Sequence, residues 1–189
     1  MSTIGTTHLR SDLRIVGVDI WEDLRFPIAA VQQNPATSKP DIISFVGNTL
    51  VLGFDNAASE GVTFVGQLPH SYKEGTDIEC HVHWSPTDDA AGGVRWILES
   101  TWANIGSTFS STATMGATGN TASQNAHIYT DIGILSGTGK TVSSMVACKL
   151  IRNVSHTDDD YAADAALLEV DFHFKVDSFG SDQESSKTY

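Results

Sequence analysis

Hydrophobic and polar side chains alternate along much of the chain with a period of two residues. Between residues 78 and 84, one face carries the apolar residues Ile78, Cys80, Val82 and Trp84. The opposite face carries Glu79, His81 and His83. Between residues 167 and 176, the pattern predicts one face with Leu168, Val170, Phe172, Phe174 and Val176, and another with Leu167, Glu169, Asp171, His173 and Lys175. This period is typical of strands with one buried face.

Other segments have the same character, with turn residues between them. Strands are predicted at residues 15–19, 42–46, 49–54, 62–68, 94–103, 127–132 and 142–154, with a hairpin at Gly47-Asn48. Pro27 is expected to end regular pairing. Residues 104–126 fit a long loop or a frayed hairpin, and residues 161–166 a single helical turn.

About eight to ten short strands without a long helix predict an all-β fold, a jelly roll or β-sandwich. We expect a single domain at residues 15–177. It is preceded by an extended polar N-terminal arm, residues 1–14, and followed by a polar C-terminal tail, residues 178–189.

Charge and cysteine content limit the partners. The net charge of -12 and the pI near 4.7 disfavour direct binding to nucleic acid or to an anionic membrane. No apolar run is long enough to span a bilayer, and residues 1–14 lack a signal-peptide core. Cys80 and Cys148 have apolar neighbours, which favours two buried free thiols over a disulfide.

His81 and His83 project from the same strand face and could hold one metal ion. Together with Gly75 they resemble the first half of the cupin motif, and cupins are jelly rolls that bind iron, manganese or zinc. The resemblance then weakens, because Asp88 stands where the cupin glutamate should follow and the second cupin motif is absent. His173 could be a third ligand if the final strand lies beside residues 78–84. A polar outer face or a subunit contact is the favoured interpretation, so no metal or cofactor is predicted.

Three other motifs are weaker. Residues 137–141 look like the end of a P-loop, but Ile134 replaces the required first glycine and no helix follows, so a hairpin turn is favoured. The acidic residues at 88–89 and 158–160 lack EF-hand spacing and fit solvated turns better than calcium sites. No Gly-x-Ser-x-Gly elbow is present, and we expect no enzymatic activity.

Four segments together resemble small virion proteins of tailed bacteriophages. They are Trp21-Glu22-Asp23-Leu24-Arg25-Phe26-Pro27, residues 68–78, His81-Val82-His83-Trp84-Ser85-Pro86 and Trp102-Ala103-Asn104-Ile105-Gly106. The resemblance covers roughly residues 15–110. It implies a β-sandwich that assembles in the virion, as a trimer, on a capsid or a tail. It implies no known reaction and no catalytic residues.

The resulting hypothesis is a capsid decoration or cement protein of a phage virion. Its expected partners are further copies of itself, as a homotrimer, and the major capsid protein or other virion proteins. The expected interface residues are Trp21, Arg25, Phe26, His81 and His83, together with the N-terminal arm.

Two alternatives remain open. The first is a tail or baseplate component that binds host glycans through residues 106–126. The second is a cupin-like metalloenzyme that uses His81, His83 and His173.

Overall fold

The computed structural model describes residues 14–33, 38–181 and 183–187, and it confirms the predicted all-β fold. These residues form a two-layer β-sandwich whose only helical elements are two short 3-10 turns, Ile28–Ala30 and Val46–Asn48. The strands are β1 (Ile20–Pro27), β2 (Gln32–Gln33), β3 (Asp41–Ser44), β4 (Leu50–Phe54), β5 (Glu60–Gln67), β6 (Ile78–Pro86), β7 (Gly93–Ala103), β8 (Ala113–Asn120), β9 (Ile128–Leu135), β10 (Met145–Arg152) and β11 (Ala165–Val176).

The strands form two antiparallel sheets. Sheet one has the order β3-β4-β11-β6-β9, and sheet two has the order β2-β5-β10-β7-β8. Along one edge, β11 pairs with two different strands, one after the other. Its first residues, Ala165–Leu167, pair with β4, and residues 169–176 pair with β1. β6 lies along the other edge of β11.

The core lies between the sheets and contains two aromatic groups. At one end, Trp96 packs edge-on against Phe54 and Trp84, with ring centroids 5.3 and 6.2 Å away. At the other, Phe26 lies 4.6 Å from Phe64 and 5.1 Å from Phe172. Edge-to-face and tilted pairs of this kind add about 0.5–1.5 kcal/mol each to the burial of the rings.

Cys80 and Cys148 are free and buried in this core, as predicted. Burial raises the pKa of both thiols, that of Cys148 to about 12. Both are therefore thiols rather than nucleophilic thiolates at neutral pH.

A β-bulge in β11 corrects the predicted alternation. Leu167 is opposite Trp84 and fully buried, whereas the next pair in register is Glu169 with His83. Leu168 is the extra residue, and it is only partly buried. The insertion moves Leu167 inward without changing the faces of the residues from Glu169 onward.

The strand boundaries differ from prediction in two places. Residues 15–19 form no strand, and pairing begins instead at Ile20 and ends at Pro27. Within residues 104–126, the hairpin interpretation is right, because β8 pairs with β7 along its whole length. Small residues are needed in β8 at positions such as Gly116. A Cβ atom added to Gly116 would lie only 2.5 Å from the carbonyl oxygen of Trp96.

Residues 136–144 form no hairpin turn. They cross from β9 in sheet one to β10 in sheet two, and no helix follows them. Gly137 is packed so closely that a Cβ there would lie 1.7 Å from the Thr76 carbonyl oxygen. The predicted hairpin around Gly47 and Asn48 is present, with β3 paired to β4 and both residues at positive φ.

The C-terminal tail, as far as it is described, packs on the body of the sandwich. The Ser181 hydroxyl lies 2.6 Å from His70 Nδ1. The Lys187 ammonium contacts the Asp177 carboxylate and donates to the Tyr72 carbonyl at 2.6 Å. The N-terminal arm, except for Arg14, lies outside the described residues. No helix among the described residues has the length and apolar character needed to cross a membrane.

Arg152 at the end of β10 connects the two sheets. Its guanidinium is fully buried and donates to the Phe54 and Ala163 carbonyls at 2.8 Å and to the Tyr161 carbonyl at 2.5 Å. It also pairs with the Asp159 carboxylate at 2.9 Å. The carbonyls of Tyr161 and Ala163 point to this group, which explains why the predicted helical turn at residues 161–166 does not form.

Replacing Arg152 with Ala should cost about 3–5 kcal/mol of unfolding free energy, because it leaves a buried carboxylate and three carbonyls without their partner. Urea denaturation checks this. Lys149→Ala, on the same strand but partly exposed, is the control and should change stability by about 0.5 kcal/mol or less. A loss below about 1 kcal/mol for Arg152→Ala would contradict this account.

Candidate functional site

The outer face of sheet one carries a dense group of histidines and carboxylates. Strand pairing places His81 opposite Asp171 across β6 and β11. It places His173 between Glu79 on β6 and Asp23 on β1. Side chains directly opposite each other in a sheet lie close enough to interact. The polar faces of β6 and β11, the two strands with the clearest alternation, therefore lie side by side in this group.

Asp171 is the centre of this group and is 3% exposed. Its Oδ1 lies 3.1 Å from His83 Nε2 and 3.8 Å from His81 Nδ1. Its Oδ2 lies 2.9 Å from His173 Nε2. Both carboxylate oxygens thus face imidazole nitrogens.

Two further residues extend the network. His173 Nε2 is also 3.0 Å from Asp23 Oδ1, and His83 Nδ1 is 2.7 Å from His127 Nε2. We call the six residues the His–Asp cluster: Asp23, His81, His83, His127, Asp171 and His173.

Interactions within the cluster shift the pKa values of Asp171 and His83. Burial alone would raise the pKa of Asp171, but the hydrogen bond from His83 and the charges of the surrounding histidines lower it overall. The hydrogen bond to Asp171 raises the pKa of His83 against the opposing effect of burial. Both directions follow from the close approach of the His83 imidazole to the Asp171 carboxylate.

Arg25 and Glu169 close one side of the cluster. The guanidinium donates through Nε and Nη2 to the two carboxylate oxygens of Glu169, both at 2.5 Å. Arg25 is therefore engaged with Glu169. Beside this pair is an open depression of about 280 Å³, lined by Asp23, Arg25, His83, His127, Leu168, Glu169 and Asp171.

The structure brings together the three histidines proposed as metal ligands, because the final strand does lie beside β6. Asp88, at the position of the cupin glutamate, is not among them, and its carboxylate accepts a hydrogen bond from the Ala90 backbone. The sequence did not identify Asp23, His127 or Asp171 as site residues. The alternation in residues 167–176 placed Asp171 and His173 on one face, but which strand lay beside them was unknown.

The predicted interface residues have different environments. Phe26 is 4% exposed and packed in the core, so its side chain leaves almost no surface for a partner. His81 is 7% exposed under the rings of Tyr129 and His173 and offers little surface. Neighbouring side chains already cover both residues, so neither offers much surface to a partner. His83 is partly exposed within the cluster.

Trp21 lies on the outer face of β1 and is 42% exposed, with the Lys175 ammonium 5.1 Å from its ring centroid. It belongs to an apolar segment that is exposed in the described part of the chain. The exposed residues of this N-terminal apolar segment are Val16, Val18, Ile20 and Trp21. The segment runs beside the C-terminal end of β11, where the Ile15 amide donates to the Asp177 carbonyl at 2.8 Å.

The acidic turns have structural roles. Asp159 is buried by its pairing with Arg152, contrary to the expected solvated turn. Asp160 accepts a hydrogen bond from the Gly93 amide at 2.6 Å, and Asp89 accepts one from the Gln124 amide at 2.7 Å.

No protein-family model and no curated protein matches the chain. Among solved structures it is similar to the CBM22-1–GH10 modules of a Clostridium thermocellum endo-1,4-β-D-xylanase 10B complexed with xylohexaose. That match has 9% identity and a TM-score of 0.44 and covers 87% of this chain and 30% of the other.

Two further structures are similar. The enzymatically active domain of bacteriophage CBA120 tailspike protein 4 has 9% identity and a TM-score of 0.37, over 82% of this chain and 19% of that one. The family 11 carbohydrate-binding module of Clostridium thermocellum, in complex with a mixed-linked tetrasaccharide, has 9% identity and a TM-score of 0.36, over 83% of this chain and 90% of that one. The chain spans less than a third of the first two proteins. Likenesses this distant assign no function to it.

Trp21 and Phe26 lie on one strand and should respond very differently to truncation. Phe26→Ala should cost about 3–5 kcal/mol, since it leaves a cavity beside Phe64 and Phe172. Trp21→Ala should cost at most about 1 kcal/mol, because it removes an exposed ring and one cation–π contact. Urea denaturation of both variants measures the difference, and equal costs would show that the outward face of β1 is misassigned.

Proposed function

We propose that this chain is a structural component of a tailed-bacteriophage virion, a capsid decoration or cement protein that acts as a homo-oligomer. The observation that carries the proposal is the N-terminal apolar segment. Val16 is 79% exposed, Val18 60%, and Ile20 and Trp21 42% each. Exposed apolar side chains at this density are typical of protein interaction sites, and here they offer contacts on both sides of β1, because Ile20 and Trp21 are consecutive and point to opposite faces.

The position of this segment supports the proposal. It leads directly into Trp21–Pro27, the first of the segments that resemble virion proteins. That strand pairs with β11, which in turn pairs with β6, where the His81–Pro86 segment lies. The segment at residues 68–78 adjoins the same end, because the Lys73 amide donates to the Lys175 carbonyl at 2.7 Å. Three of the four resembling segments therefore lie in sheet one or next to it.

In this proposal, another copy of the chain within the trimer covers the N-terminal apolar segment. The polar arm before it would then tie neighbouring subunits together, and the assembled oligomer would attach to the major capsid protein. The function would be mechanical, with no reaction catalysed. Interfaces of about 1,600 Å², repeated over many copies, would reinforce a shell.

A specific observation keeps the glycan-binding alternative open. The β7–β8 connection, residues 104–112, carries Ile105 at 62% and Phe109 at 53% exposure among polar residues. The sequence places the candidate glycan-binding loop at residues 106–126, but residues 113–120 form β8 and cannot be removed without exposing β7. An exposed aromatic ring in this connection would suit a tail component that stacks on host sugars.

Phe109→Ala should abolish binding on a host-glycan array if this alternative holds, while Tyr129→Ala, which removes an aromatic ring of 63% exposure elsewhere, should not. Retention of glycan binding in Phe109→Ala would exclude this connection as the binding site. An array with no bound glycan would count against the alternative as a whole.

The virion proposal predicts that the double variant Val16→Ser/Val18→Ser loses self-association by at least about 10-fold, because each buried valine contributes about 1.5–3 kcal/mol. Sedimentation measures this. The number of copies per purified phage particle should fall in parallel.

The matched control is Val65→Ser/Ile134→Ser, which changes two side chains of 60% exposure away from the segment. It should assemble like the natural chain. A monomeric natural chain, or unchanged assembly and particle occupancy in the first variant, would refute the role of the segment.

A further inference from the structure

We propose that His81, His83 and Asp171 bind one divalent transition-metal ion of the Zn²⁺ class on the outer face of sheet one. One ligand atom from each of the three residues lies within 4.8 Å of the other two. Bonds of about 2.0–2.2 Å in a tetrahedron place ligand atoms roughly 3.3–3.6 Å apart. The observed separations of 3.1 and 3.8 Å around Asp171 Oδ1 bracket that range, so small side-chain rotations would complete the site.

The charge balance of the cluster also indicates a cation. Asp23 and Asp171 in the cluster, and Glu79 beside it, bring three carboxylates to these histidines. The nearby Arg25 is engaged with Glu169. His173 Nε2 faces Asp171 and Asp23 at 2.9 and 3.0 Å. A ring nitrogen carries at most one proton, so it cannot donate fully to both. A divalent ion bound to Asp171 would compensate the remaining negative charge.

The surrounding hydrogen bonds fit a metal ligand set. With an ion bound, the neutral His83 tautomer would keep its proton on Nδ1 and donate it to His127 Nε2, 2.7 Å away. Its Nε2 would then give a lone pair to the ion in place of its hydrogen bond to Asp171 Oδ1. The second oxygen, Oδ2, interacts with His173. Ligating histidines and carboxylates are usually held by such outer hydrogen bonds. His127 and His173 would therefore orient the ligands without binding the ion.

The donor set and the exposure of the site select the kind of ion. Two imidazoles and one carboxylate suit Zn²⁺ and related transition metals, whereas Ca²⁺ and Mg²⁺ prefer oxygen ligands alone. The side chains of Asp171 and His81 are 5% and 9% exposed, but that of His83 is 23% exposed beside the open depression. An ion could thus enter past His83 and would then bridge the central strands β6 and β11.

The competing explanation is a metal-free cluster in which an imidazolium of His83 pairs with Asp171. The two differ in what the purified protein binds after chelator treatment. Isothermal titration with Zn²⁺ and with Co²⁺, on the full chain without an affinity tag, should show one ion per chain. Co²⁺ should also give the visible absorption of a tetrahedral site. Ca²⁺ and Mg²⁺ should not bind, and Zn²⁺ at 100 times its Kd should raise Tm by roughly 5–10 °C.

Variants assign the ligands. His83→Ala and Asp171→Asn should weaken Zn²⁺ binding at least about 100-fold, and His127→Ala and His173→Ala about 10–100-fold. His156→Ala removes a histidine outside the cluster and should leave binding unchanged. Far-UV circular dichroism verifies folding, and His83→Gln is used if His83→Ala does not fold.

Several results would overturn the assignment. One is the absence of stoichiometric Zn²⁺ and Co²⁺ binding at about 100 µM, which would leave the hydrogen-bonded cluster as the explanation. Another is binding that survives His83→Ala but not His173→Ala, which would move the ion to Asp23 and His173. None of these outcomes bears on virion assembly, which the valine variants test separately.

Discussion

The pairing of β11 with β6 is the constraint on which the rest of the molecule depends. On the inner side it sets Val170 and Phe172 against Val82 and Cys80 and so builds the centre of the core. On the outer side the same hydrogen-bonded ladder sets Asp171 opposite His81. Because side chains alternate between faces, neither arrangement can change without the other. The His–Asp cluster therefore has the rigidity of the core beneath it.

The fold class could be predicted from the sequence because it follows from local periodicity. Residues 78–84 and 169–176 alternate cleanly, and their faces were assigned correctly. The errors arose where local pattern competes with tertiary contacts. Residues 161–166 have helix-forming alanines, but Arg152 binds their carbonyls. Residues 113–120 are rich in Gly and Ala and have only Thr114 and Thr118 as β-branched residues. They nevertheless pair with β7 as β8, because no other described strand lies along that edge of β7.

The site was predictable only in part, for a related reason. His81 and His83 are two residues apart in one strand, so their common face is a local property. Asp171 and His173 come from a strand almost ninety positions later along the chain, and nothing local specifies which strand lies beside them. The burial of Phe26 could not be predicted either, because the irregular composition of residues 21–27 concealed a regular strand in which Phe26 faces inward.

The bulge at Leu168 separates two sections of β11 that meet different neighbours along one edge. Before it the strand is in phase with β4, and after it the strand is in phase with β1. The extra residue lets one continuous strand stay in register with two partners whose pleats do not coincide. Losing or gaining one residue between this bulge and Asp171 would turn Phe172 toward solvent and Asp171 toward the aromatic interior. The length of this strand is therefore as constrained as its composition.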